Sequence, residues 1–142
     1  MKYLDVSRGN GGLNGFKISE EIIEKFFPDI SAAMEKRGIV LRDIDAIMLA
    51  QNLTGLIVHA AIACCNKHKR APDKVRLILK ISRDYKAFVF FVPLSSDNKM
   101  EVPAKECPMS VIGADAKDFE ELKKKYPNVN LSLGGGKMIG NN

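Results

Sequence analysis

From Ile44 to Cys65 the chain carries one charged side chain, Asp45. A stretch so poor in charge must be buried, in a protein core or in a bilayer. Asp45, Gln51, Asn52 and His59 interrupt it, and its unbroken apolar runs fall far short of the roughly 20 residues that a span requires. The expectation is a buried helix of a soluble protein, with no membrane partner. Everything else must be arranged around that helix.

Punctuation on either side sets the order of elements. Tyr3–Ser7 reads as a strand, followed by a loop from Arg8 to Gly15 with glycines at 9, 11, 12 and 15, where positive φ angles allow tight turning. Ser19 is a suitable N-cap, Glu20 and Glu21 suit the positive first turn, and Ile18 with Ile23 makes a hydrophobic staple. Pro28 is expected to end or kink this helix, which resumes through Met34 and stops at Gly38. Asp43 then caps the long helix, which runs to about Lys67, and Pro72 prevents continuation.

Val75, Leu77, Leu79 and Ile81 alternate with Lys74, Arg76, Ile78, Lys80 and Ser82, as a strand requires. Ala87–Leu94 is a second strand, and a two-residue Asp84-Tyr85 turn would set Lys80 opposite Val89, Ile78 opposite Phe91 and Arg76 opposite Pro93. A polar loop, a short strand at Met109–Gly113, a helix from Asp115 to Lys125 and a strand at Val129–Leu133 complete the order. The pattern is β, α, α, β, β, short β, α, β. It predicts an α+β two-layer sandwich, with helices packed on one face of a mixed sheet containing a central hairpin. A doubly wound parallel sheet would need regular strand-helix alternation. One domain over residues 1–133 and a Gly-rich tail over 134–142 account for the 142 residues; halves of about 70 residues would be marginal.

Three cysteines cannot all pair, and the start lacks the apolar core of a signal peptide, so a reducing cytoplasm is expected. Cys64 and Cys65 read as structural. Cys107 lies in the run Cys107-Pro108-Met109-Ser110-Val111, which resembles the Cys-Pro signature of small sulfur-carrier proteins over five residues, with Ser110 where that family has Pro. No function is carried over from so short a match. Cys107 is a candidate nucleophile if a base or cation lies beside it.

Four further features bear on function. The Gly loop resembles an anion-binding turn, which nominates Arg8, Gly11, Gly12 and Lys17, although neither a dinucleotide fingerprint nor a P-loop is present. A flexible connection is the plainer reading. Asn52, Gly55, His59 and Asn66 share one face of the long helix and require partners there; a core histidine bonded to a carbonyl is the plainer reading of His59. Asp5, beside the Gly loop, suits an acid, a base or a ligand of hydrated Mg²⁺. Finally, residues 67–86 hold eight cations against two carboxylates, whereas the whole chain nets +5. The positive excess is therefore local, and Arg76 and Lys80 share a strand face with an aromatic ring, a combination suited to phosphates and stacked bases.

The leading expectation is a cytoplasmic module binding a phosphorylated anionic ligand, a nucleotide or RNA, through Arg8, Gly11, Gly12, Lys17, Asn52, His59, Arg76 and Lys80. The alternatives are a small thiol- or histidine-dependent enzyme using Cys107 or His59, and a homo-oligomeric interaction protein. No metal set has ligand spacing, and no motif names a cofactor.

Overall fold

A computed structural model of the chain describes residues 2–10, 12–16 and 20–132. Ser19, Ile18 and the tail 134–142, named above, lie outside the described residues, as do Gly11 and Lys17. The elements are β1 (Lys2–Ser7), α1 (Glu20–Lys36), α2 (Asp43–His68), β2 (Lys74–Ile81), β3 (Ala87–Leu94), β4 (Met109–Ile112), α3 (Ala116–Lys125) and β5 (Val129–Ser132), with 3₁₀ turns at Gly12–Gly15 and Ala104–Glu106. The class is α+β. The five strands lie in chain order; the first three junctions are antiparallel and β4–β5 is parallel, so the sheet is mixed.

The alternation seen in β2 decides which layer each residue joins. Val75, Leu77 and Leu79 are buried, together with Ala87, Val89 and Phe91 from β3. Against them pack Ile22, Phe26, Ile30 and Met34 of α1 and Leu49, Leu53, Ile57 and Ala60 of α2. Each large side chain fully buried there contributes about 1.5–3 kcal/mol. The other face is different. Met109, Val111 and Val129 form a second small core with Phe88, Phe90 and Leu131, and α3 supplies Phe119 and Leu122 to it, with Tyr126 at its C-cap. By alternation these residues lie on the opposite side from Val89 and Phe91, so α1 and α2 cover one face and α3 covers the β4–β5 end of the other.

One local expectation is narrowed and two are corrected. Helix α1 continues through Pro28 rather than ending there; its apolar stripe on both sides of the proline is buried, and this packing outweighs one lost backbone bond. Its end is as read: Gly38 has φ +79°, its N–H donates to the Glu35 carbonyl and that of Ile39 to Met34, a Schellman stop. Asp43 is the first residue of α2 rather than its cap; the buried Asp45 carboxylate accepts the Arg42 N–H at 2.8 Å.

The hairpin turn is the third. Ser82 pairs with Lys86, the Tyr85 N–H returns to the Ser82 carbonyl, and Tyr85 has φ +62°. This is a three-residue loop with a left-handed last residue, not a two-residue turn. The register shifts by one: Lys80 faces Phe88, Ile78 faces Phe90 and Arg76 faces Val92. A shift of one residue exchanges faces. Phe88 and Phe90, not Phe91, therefore share the face that carries Arg76 and Lys80.

Candidate functional site

The face of β1, β2 and β3 that α3 leaves uncovered is built from alternate residues: Tyr3 and Asp5, then Lys74, Arg76, Ile78 and Lys80, then Phe90, Val92 and Leu94. The loop after β3 folds back over it. Leu94 bridges to Met100, Asn98 adopts φ +64°, and the Glu101 N–H donates to the Pro93 carbonyl. Glu101 also anchors this loop to the end of α2: its carboxylate holds Arg70 and its carbonyl lies 2.6 Å from His68 Nε2.

Between the loop and the sheet lies a groove of about 390 Å³. Ile78, Phe90, Val92 and Met100 give it an apolar lining, while Arg76 and Asn98 are its polar members. It adjoins a smaller cavity of about 230 Å³, sharing Phe90 and Cys107 with it and adding Lys105, Lys125 and Tyr126. The Tyr126 ring meets Phe90 edge-on at 6.5 Å between centroids. A concave, mostly apolar site with a few placed polar groups is the usual form of a small-ligand site.

Arg76 is held from three sides. Its Nε and Nη2 donate to the two Asp5 oxygens at 2.7 and 3.0 Å, Nη2 also reaches Asn98 Oδ1 at 3.4 Å, and the guanidinium lies 4.4 Å from the Tyr3 ring centre. The hydrogen bond from Arg76 holds the Asp5 carboxyl below its ordinary range, with Lys74 adding to the effect; Asp5 reciprocally raises Arg76. Asp5 is thus a positioning partner of Arg76. Arg76 Nη1 donates to none of the described residues, so it retains N–H groups for a ligand. Lys80 is exposed further along the same strand, opposite Phe88.

The remaining sequence candidates are dispersed. Arg8 sits at the end of β1; its N–H donates to the Asp73 carbonyl at 3.0 Å and its guanidinium is 3.9 Å from that carboxylate. Gly12 and Gly9 are left-handed, and a Cβ on Gly15 would fall 1.7 Å from the Arg8 carbonyl oxygen. Gly15 thus serves close backbone packing, while Gly9 and Gly12 serve the left-handed turns of the loop; Phe16 beyond them is buried. The second half of the loop, Gly12–Gly15, is a four-residue 3₁₀ turn, and α1 begins only at Glu20. Gly11 and Lys17, the other loop candidates, belong to the residues not described.

Asn52 has partners within the protein: its Oδ1 accepts from Ser132, whose hydroxyl is 2.7 Å from that of Ser110. His59 is exposed rather than a core histidine. It borders an open cavity of about 540 Å³ with Asn66, Lys67, Glu106 and Asn128, on the α2 side of the sheet. Cys107 donates to the Pro103 carbonyl at 3.5 Å, and burial, then the neighbouring Glu106, push its thiol up to about 11. Burial and Glu101 do the same to Cys64. Both stay protonated at neutral pH, which opposes a thiolate nucleophile. Among the described residues no three His, Cys, Asp or Glu side chains are grouped to hold a metal.

Arg76 and Cys107 therefore line one groove, while Arg8, Asn52 and His59 stand elsewhere. Phe90, Asn98 and Met100 are site residues that sequence reasoning missed. Phe90 was hidden by the one-residue register shift; Asn98 and Met100 belong to a loop with no periodic signal. Compared with family models, with curated proteins and with solved structures, the chain matches none.

Proposed function

We propose that this chain binds a phosphorylated ligand bearing an aromatic ring, a nucleotide or a short single-stranded RNA, on the open sheet face. One observation carries the reading: the β2–β3 register puts Arg76 and Lys80 on the same face as Ile78, Phe88 and Phe90, beside a groove of about 390 Å³. The base stacks on the apolar lining around Phe90 and Met100. Arg76, supported by Lys105 and Lys125 from the adjoining cavity, meets the phosphates.

Charge supports the same reading, because the sequence concentrates its positive excess in the segment that forms β2 and its flanks. Arg76 is central in this arrangement, Lys80 adds a cation farther along the same face outside the groove lining, and Arg8 and Gly12 are peripheral. The test is equilibrium dialysis with nucleoside mono- and triphosphates and fluorescence anisotropy with a labelled oligonucleotide, each at two salt concentrations. Binding should weaken as salt rises and should fall at least tenfold in Arg76→Met. An absence of binding, or binding indifferent to both salt and Arg76, would overturn it.

A further inference from the structure

The outer face of α2 is a strip without charge. Met48, Gln51, Gly55, His59 and Ile62 are exposed at helical spacing along one line, and Ile44 continues it at the N-terminal end. Ile47 at 55% and Val40 at 72% exposure widen it. By length and composition alone α2 is apolar enough to cross a membrane, although its other side is a wall of the core. Surface helices ordinarily place charged residues outward. An outer face with four large exposed apolar side chains and no charge, in a chain of net charge +5, marks a covered surface.

We propose that a second copy of this chain covers it, with the two α2 helices antiparallel about a two-fold axis at Gly55. Gly55 lies in the middle of Asp43–His68, and a Cβ built there would meet nothing within 4 Å, so another backbone can approach it. Gln51 and His59 stand four residues to either side, and Met48 and Ile62 stand seven. Antiparallel pairing therefore sets Met48 beside Ile62 of the second copy, twice, and Gln51 beside His59 of the second copy, amide to imidazole. The strip is self-complementary, as a two-fold interface must be.

Charge favours the same occupant. The acidic first turn with Asp43 comes near the basic last turn with Lys67, and the helix dipoles oppose. Two copies that repel each other elsewhere approach most cheaply across an uncharged strip. A helix of 26 residues is about 39 Å long and roughly 10 Å wide, so the strip offers on the order of 400 Å² per copy, about half of what a standard interface buries on each side. The dimer is accordingly weak and concentration-dependent.

Sedimentation equilibrium of the full chain from roughly 1 to 500 μM, the range in which weak complexes form, should show monomer giving way to dimer. Gly55→Lys should be monomeric throughout yet melt no lower than the parent, because the site has open space and lysine is the better helix former. Met48→Glu and Ile62→Lys should each abolish dimerisation, and the double variant should restore it by pairing the new charges across the axis. A parent that stays monomeric, a Gly55→Lys variant that still dimerises, or folded single variants without rescue would overturn the proposal. A monomer that floats with phosphatidylcholine vesicles and loses this in Gly55→Lys would overturn it in favour of a lipid surface.

Discussion

Arg76 holds both oxygens of Asp5 across the β1–β2 ladder, at 2.7 and 3.0 Å, so the cation best placed for a ligand already carries an internal carboxylate. The two compete and cooperate at once: Asp5 fixes the guanidinium and also offsets its charge. Asp5→Asn should cost about 1–3 kcal/mol of stability, the usual effect of losing a charge-assisted pair. The same variant should tighten binding of a phosphorylated ligand several-fold, because Arg76 loses its competing anion. Arg76→Met should lower both stability and binding. Chemical denaturation and dialysis on both variants measure the two effects.

The same pair sets a pH dependence. The Asp5 carboxyl is lowered from 3.8 in the folded chain, so its stabilisation is complete above that value and is lost as pH falls through the lower folded one. The parent should therefore lose stability below about pH 4, and Asp5→Asn should lack that part of the acid loss. Thermal melts between pH 2 and 6, read as the difference between the two chains, isolate the contribution.

Cys107 lines both the groove and the adjoining cavity, with its thiol held near 11. At pH 7 the thiolate fraction is then about one in ten thousand, so alkylation should be slow and should rise nearly tenfold per pH unit up to that range. A nucleotide seated in the groove should slow it further by covering the sulfur. Mass-resolved labelling with iodoacetamide gives both numbers. Rapid labelling of Cys107 at pH 7 would revive the thiol-enzyme reading.

Tyr85 shows why part of the site was not legible in the sequence. Its φ of +62° is unfavourable for a non-glycine residue, and a glycine there would have announced the three-residue loop. Without that signal a two-residue turn was the natural reading, which put the wrong aromatic on the cationic face. Tyr85→Gly should raise stability by about 0.5–1 kcal/mol, the strain relieved less the added chain entropy. The melting temperature and the denaturation midpoint check it.

Elements with strong ends were legible: Asp115 accepts the Asp118 N–H at 2.8 Å at the start of α3, and Gly38 stops α1. Partners distant in sequence were not, because nothing local to Asp5 announces Arg76 or the strand that brings it. His59 was misplaced for a different reason. Helix α2 is apolar on its exposed side as well as its buried one, so periodicity alone could not say which side faced the core.

Gly113 joins the two layers at the end of β4. It has φ +88°, and a Cβ there would lie 2.5 Å from Met34 Sδ and 2.8 Å from Arg37 Nη1. That same Nη1 donates to the Gly113 carbonyl, so the end of α1 rests directly on the backbone of the turn after β4. Gly113→Ala combines a left-handed alanine, about 1–2 kcal/mol, with overpacking of a buried contact, about 1–3 kcal/mol. A loss of about 2–5 kcal/mol is expected. Adding Met34→Ala should recover the overpacking part while opening a cavity of its own, leaving the φ cost as the residue. The double-mutant cycle by urea denaturation should therefore show coupling between the two positions. Simple additivity would mean that Met34 gives way freely and that backbone conformation accounts for the whole effect.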